Sequence, residues 1–299
     1  MMKCPKKLEK GDLISIVAPA KAIEKDLIFH AKSMLESYVF RVNIGENCTG
    51  RYNYFSGNIH ERLSDFQSAI DNPEVSAILC ARGGYGSIQI VDKLNWDSFS
   101  KNPKWIIGFS DITVFHQKLA SMNYCSIHGT MPLDFKKNST ASLTTLVDLL
   151  SGSLNNISFD YDDHNITGSA DGILSGGNLS ILYSLLGTDD QPDYSNNILF
   201  IEDLAEHLYH IDRIFHAFNK AGILRKLNGI IVGGMTNLMD TAEPFGMGYK
   251  EIIVHHCEKH GIPVAFGFPA GHIDDNRSIM FGRMVRLSVS KEESLLEYL

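Results

Sequence analysis

The stretch Trp105-Ile-Ile-Gly-Phe-Ser-Asp-Ile-Thr-Val-Phe-His-Gln-Lys-Leu119 decides the fold. Its first five residues are an apolar run with the length of a buried strand, and the chain then turns at Ser110-Asp111 into a helical pattern that continues to Leu119. The same alternation lies upstream, where 13–18 and 77–80 read as strands and 25–38, 58–70 and 87–94 as helices. Strand, helix, strand, helix implies a parallel sheet. In open sheets of this kind ligands gather beyond the carboxyl ends of the strands, which is where Ser110 and Arg82-Gly83-Gly84-Tyr85-Gly86 both fall.

Outward from this core, the 299 residues, 44% hydrophobic and 21% charged, describe a globular chain long enough for two domains. Polar stretches between 136 and 169 mark the boundary. The expected division is an N-terminal α/β domain over 1–140, a linker over 141–168 holding one helix at 143–150, and a C-terminal domain over 169–299. The second half reads as strands at 172–174, 198–201, 229–232 and 264–268, helices at 180–186 and 205–219, and an edge strand at 284–289.

A formal charge of −8 without a cationic cluster argues against nucleic acid as a partner. No run of about 18 apolar residues is present, so no membrane span is expected. Lys3, Lys6, Lys7 and Lys10 ahead of an apolar run imitate a secretion signal, but Asp12 and Ser15 interrupt the pattern and a first strand is the better reading. Cys4, Cys48, Cys80, Cys125 and Cys257 are scattered and odd in number, which predicts free thiols in a reducing, cytoplasmic setting.

Ser110 stands on a strand-to-helix turn that exposes a side chain, although an N-cap would explain a serine there equally well. An activated serine needs a base and an orienting carboxylate. Glu202 closes the apolar run 198–201, and His272 follows another strand within Pro269-Ala-Gly-His272. Chain order Ser, Glu, His is that of α/β-hydrolases, yet Ile112 stands where G-x-S-x-G has its second glycine. The 82–86 loop could offer backbone N–H groups to an oxyanion but lacks the spacing of a phosphate-binding fingerprint. His255-His256-Cys257-Glu258-Lys259-His260 looks metal-like but does not fit H-E-x-x-H, and reads as a helix end.

Taken together, several motifs resemble the LD-carboxypeptidases, serine peptidases with a Ser-Glu-His triad that include the microcin C resistance peptidases. They are Gly11-Asp12 with Ile16-Val-Ala-Pro-Ala20, Tyr54-Phe-Ser-Gly57 with Arg62, Ala81-Arg-Gly-Gly-Tyr-Gly86, Pro103-Lys104 and Ile107-Gly-Phe-Ser-Asp-Ile-Thr113. His128-Gly129, Gly176-Gly-Asn-Leu179, Leu199-Phe-Ile-Glu-Asp203 and Gly267-Phe-Pro-Ala-Gly-His272 continue the series. The resemblance implies a flavodoxin-like N-terminal domain, similar to class I glutamine amidotransferases, and a smaller β-rich C-terminal domain. It implies Ser110 as nucleophile, His272 as base and Glu202 as orienting carboxylate, with no cofactor or metal. Asp111 and Gly83 or Gly84 would supply oxyanion N–H groups, and Arg82 would clamp the substrate carboxylate or serve a structural ion pair. The implied partner is a murein peptide ending in a D-amino acid, cut in wall recycling, by an enzyme expected to be a homodimer. Rival expectations are a microcin-type peptidyl nucleotide substrate, a cysteine amidotransferase, and a wall-peptide sensor without catalysis.

Overall fold

The computed structural model describes residues 2–299. The first half runs β1 (Leu13–Val17), α1 (Lys25–Ser37), β2 (Arg41–Ile44), α2 (Ile59–Asp71), β3 (Val75–Cys80), α3 (Asp97–Lys101), β4 (Trp105–Gly108), α4 (Thr113–Ser121) and β5 (Ser126–His128). Next come α5 (Thr140–Ser151), β6 (Asn156–Asp160), β7 (Gly168–Asn178), α6 (Leu179–Ser184), β8 (Asn197–Leu204), α7 (Leu208–Lys220), β9 (Gly229–Thr236) and α8 (Tyr249–Cys257). The chain ends in β10 (Val264–Ala265), β11 (Ile279–Phe281), β12 (Met284–Val289) and β13 (Glu293–Tyr298).

Two sheets organise these elements: a six-stranded one in the order β11-β5-β4-β3-β1-β2 and a seven-stranded one in the order β10-β9-β8-β7-β12-β13-β6. In the first, β1 to β5 pair in parallel, and β1 and β4 are buried at every residue, as expected of strands covered on both faces. One cluster, with Ile14, Ile16 and Ile107, fills one face, and another, with Phe66, Ile78 and Phe115, fills the other. In the second sheet β7 to β10 pair in parallel, while β12, β13 and β6 join antiparallel. Local chemistry sets the helices: Asn58 and Glu61 close a capping box on α2, and Ile211, Ile214, Phe215 and Phe218 give α7 one buried face.

Several sequence expectations are corrected. Residues 87–94 form two short 3₁₀ turns, Ser87–Gln89 and Val91–Lys93, because the Asp111 carboxylate takes the Ser87 N–H and ties the segment to the turn at Ser110. The helix expected from 205 starts at Leu208, since β8 runs on to Leu204 and Ala205 is left-handed at φ 59°. Residues 284–289 are an interior strand, held between β7 and β13; their alternation reflects one buried and one open face rather than an edge. Cys4 and Cys125 are joined in a disulfide, against the expectation of free thiols, because the bridge between Lys3 and Tyr124 brings their neighbours together across 121 residues.

Within 141–168, α5 turns Leu143, Leu146, Leu149 and Leu150 into the core of the first sheet, whereas β6 pairs with β13 in the second. Strand β11 pairs antiparallel with β5, so the C-terminal part of the chain supplies the last strand of the first sheet. The two sheets meet at α4. Gln117 Nε2 donates to Gly176 O at 2.9 Å, Asn178 N donates to Thr113 Oγ1 at 2.9 Å, and a Cβ on Gly177 would stand 2.5 Å from Thr113 Oγ1. Gly177 near the end of β7 therefore admits the start of α4, while Gly176 admits the backbone of β8 at Phe200.

Candidate active site

Three strand ends converge on a cleft of about 700 Å³ between the sheets. From β4, the chain passes through Gly108 and Phe109 to Ser110, a residue held at φ 62°, a conformation that costs a non-glycine side chain free energy and that marks strained, exposed turns. Ile112 fills the place of an elbow's second glycine and is fully buried, with Gly108 packed so close that a Cβ there would lie 2.8 Å from Ile112 Cγ1. The strained serine turn therefore exists without the second glycine.

Opposite, β8 carries Glu202 into the interior, where its carboxylate has no exposure and Oε2 accepts a 2.6 Å hydrogen bond from His272 Nδ1. Gly271 permits this approach: its φ is 103°, and a Cβ would lie 2.7 Å from Glu202 Cβ. Thr236 Oγ1 donates to His272 O at 3.3 Å and Asn276 Oδ1 accepts from Gly271 N at 2.8 Å, fixing the loop. The imidazole side chain is 18% exposed and faces the cleft that Ser110 lines. Its ring packs edge-on against Phe109, 4.9 Å between centroids, so the residue before the serine touches the histidine across the sheets. Burial disfavours the imidazolium, but the Glu202 charge, its hydrogen bond and the charges of Asp203 and Asp134 outweigh it and raise His272 above its ordinary value.

The glycine loop reaches the serine directly: a Cβ on Gly83 would stand 3.0 Å from Ser110 Cβ and 3.2 Å from both Asp111 N and Ser110 Oγ. Gly84 lies instead against Lys21 and Tyr54. The Asp111 side chain points away from the cleft, accepting from Ser87 N at 2.8 Å; burial raises its carboxyl although the Ser87 and Gly86 contacts and Arg62 oppose this. Arg82 donates to Ala22 O at 3.0 Å and, among the described residues, has no carboxylate partner, so the structural ion pair expected as its alternative is not formed. Lys21 likewise has none; its ammonium lies 4.7 Å from the Tyr54 ring centre.

Sequence reasoning brought Ser110, Glu202, His272, Arg82, Gly83, Gly84 and Asp111 forward, and all seven lie in or beside this one cleft. It gave no role to Lys21, Asn178 or Asp203, which line the same cleft. Asp203 accepts from Asn178 and Ser180, and burial raises its carboxyl above the usual range. Lys21 follows the carboxyl end of β1, and position alone could have nominated it. The cysteine rival loses its residues: Cys80 is fully buried with its thiol pushed far up by burial, and Cys125 is in the disulfide.

Parallel sheet, strand-end serine and paired carboxylate–imidazole together fit a hydrolase whose cleft lies between two sheets. The chain belongs to the LD-carboxypeptidase family: residues 14–129 match its N-terminal domain and 171–287 its C-terminal domain. It is accordingly an enzyme of the carboxypeptidase class. It is 28% identical over 285 residues to the murein tetrapeptide carboxypeptidase of Pseudomonas aeruginosa, covering 90% of this chain and 91% of that one. It is 30% identical over 293 residues to slr1534 of Synechocystis sp., whose name marks it as a carboxypeptidase candidate, covering 95% and 93%. The crystal structure of muramoyltetrapeptide carboxypeptidase from Oxalobacter formigenes superposes with a TM-score of 0.87 at 27% identity, over 96% of this chain and 98% of that one. The microcin C7 self-immunity protein MccF of Escherichia coli is 26% identical over 326 residues, covering 94% and 91%.

Proposed function

We propose that this chain is a serine-type LD-carboxypeptidase that removes the terminal D-alanine of murein tetrapeptide, through Ser110, His272 and Glu202. One observation carries the reading: a serine in a left-handed turn and a carboxylate-paired histidine face the same cleft from two sheets. His272 takes the proton of Ser110 Oγ as that oxygen attacks the carbonyl before the D-residue, and then passes it to the leaving amine. Glu202 holds Nδ1–H and stabilises the imidazolium that forms. Water then repeats the sequence on the acyl-enzyme, releasing the tripeptide and freeing the serine.

Backbone N–H groups of Asp111 and of the Gly83-Gly84 turn would receive the oxyanion, at roughly 2.7–4 kcal/mol per donor as in other acyl-transfer enzymes. Arg82 and Lys21, both without carboxylate partners, suit the free carboxylate of the terminal residue. Asp203 and Asp274 on the far wall suit the ammonium of a diamino acid. The setting would be cytoplasmic recycling of wall peptides. In a reducing compartment Cys4 and Cys125 stand as adjacent thiols; neither lines the cleft.

A second reading, cleavage of a peptidyl or aminoacyl nucleotide, is favoured by Tyr54, an exposed ring on the cleft wall that could stack a base. Neither Trp96 nor Trp105 reaches the cleft. Incubation of the purified protein with murein tetrapeptide, followed by mass spectrometry for free D-alanine and tripeptide, separates the readings. The parent should release both, and Ser110→Ala should lose activity by roughly 10⁶-fold, the scale of nucleophile removal in serine hydrolases. Normal turnover by Ser110→Ala would remove the nucleophile assignment. No release by either protein would overturn the murein reading and make a peptidyl nucleotide the next substrate.

A further inference from the structure

Away from the cleft, α7 and α8 bring three metal-binding side chains to one point. Asp212 and His216 are four residues apart on α7, a spacing that puts them on one helix face, and His256 is the next-to-last residue of α8. Asp212 Oδ1 lies 2.8 Å from His256 Nε2, and Asp212 Oδ2 lies 3.5 Å from His216 Nε2. The two imidazole centroids are 4.6 Å apart and nearly perpendicular, and the three donor atoms all lie within 4.8 Å of one another.

The metal-like stretch 255–260 thus contributes a single residue. Cys257 is buried in the core behind α8, and the other two donors come from a helix some forty residues earlier in the chain. Donor atoms around a tetrahedral Zn²⁺, each about 2.0–2.1 Å from the ion, are separated by roughly 3.3 Å. The present spacings bracket that value. His256 is fixed by burial and by Phe215, stacked 5.7 Å away, whereas the His216 side chain is 57% exposed and free to adjust. Two imidazoles and one carboxylate form a donor set of intermediate softness, suited to Zn²⁺ and its first-row neighbours and not to Mg²⁺ or Ca²⁺.

We propose that Asp212, His216 and His256 form a site for a divalent transition-metal ion, Zn²⁺ in the first instance, with a fourth position open to water. Such an ion clamps α7 to α8. Helix α7 follows the strand that carries Glu202, and α8 leads through β10 to the loop that carries His272. None of the three ligands lines the cleft, so the site is structural and stands apart from the peptidase mechanism.

The test is isothermal titration calorimetry of the full chain, stripped with a chelator, against ZnCl₂ and separately MgCl₂, with thermal unfolding in parallel. One Zn²⁺ per chain should bind and raise Tm, and Mg²⁺ should do neither. His216 projects from the surface, so His216→Ala tests the site without a core defect. It should weaken Zn²⁺ binding at least roughly tenfold, the scale reached when even an outer partner of a metal ligand is removed. His256→Gln should do the same, and His60→Ala, an exposed histidine of α2, should leave the affinity unchanged. The proposal is overturned if Zn²⁺ shows no saturable binding, if His216→Ala keeps the parental affinity, or if His60→Ala loses as much as His216→Ala.

Discussion

The two walls of the cleft are made by different physics. The Ser110 wall is backbone geometry: a left-handed serine and a glycine loop close enough that a single methyl would touch the hydroxyl and crowd the Asp111 nitrogen. The Glu202–His272 wall is electrostatics, a carboxylate without solvent paired to an imidazole whose proton affinity it raises. Shape on one side and charge on the other means that the two walls should fail differently when altered, one without regard to pH and the other through it.

The largest effect that separates them is expected from Glu202→Gln. Loss of the orienting carboxylate should cut kcat by about 10³–10⁴-fold, as when the corresponding acid of another triad is replaced by its amide. Direction with pH follows from the raised His272. In the proposed mechanism the working base is the neutral imidazole, so kcat/KM of the parent should fall as pH drops through a midpoint above the ordinary 6.5. With the charge of Glu202 gone, burial is opposed only by Asp203 and Asp134, and the midpoint should move down from the parent's. Stability has the opposite sense. A group whose pKa is raised on folding stabilises the fold below its unfolded value and loses that contribution as pH rises through the folded value. The parent's advantage over Glu202→Gln in chemical denaturation should accordingly narrow from acid to alkaline buffer. An unchanged acid limb in the variant would remove Glu202 from the pair.

A smaller effect, independent of pH, is expected on the other wall. Gly83→Ala places a methyl 3.0 Å from Ser110 Cβ and 3.2 Å from Asp111 N. The φ of Gly83 is not positive, so the cost is crowding at the hydroxyl and its N–H donors rather than backbone strain. We expect kcat to fall about 10²–10³-fold, the scale of losing one oxyanion donor, with the acid limb unmoved. A shifted limb would mean that shape and charge are coupled across the cleft. Smaller still is Thr113→Val, which leaves the buried Asn178 N without its acceptor where the sheets meet. It should cost about 1–3 kcal/mol in unfolding free energy and roughly ten- to a hundredfold in kcat/KM, since displacement of about 1 Å is felt on that scale. Full activity in a destabilised variant would show that the contact holds the fold but not the site.

The same contrast explains what was legible in the sequence. Ser110, Gly83 and Gly84 are marked by residue type at a strand end, and Glu202 by a carboxylate closing an apolar run; such signals are local. His272 rested on a turn after a strand together with the family motif. Asn178 and Asp203 acquire meaning only through the cleft, which is a product of sheet packing, whereas Lys21 could have been nominated by its place after β1. The short strands β2, β5 and β11 carry too few residues for periodicity, and they form because neighbours far along the chain complete them. Alternation at 284–289 reports two faces but not what lies to either side, hence the misplaced edge. The cystine escaped for a related reason: scatter along the chain says nothing of distance in space.

Strand β11 also bears on how the protein is made. Its three residues, Ile279–Phe281, close the open side of β5, and they leave the ribosome long after the rest of that sheet. Until then β5 is a bare edge offering unpaired backbone groups to any other nascent strand. The first sheet is thus completed by a segment synthesised long after β5, only a few residues after His272 has arrived. A chain halted before that point would carry a serine turn, a glycine loop and an unfinished sheet, so the step that completes the first sheet and the step that brings His272 to the cleft fall within the same short interval of synthesis.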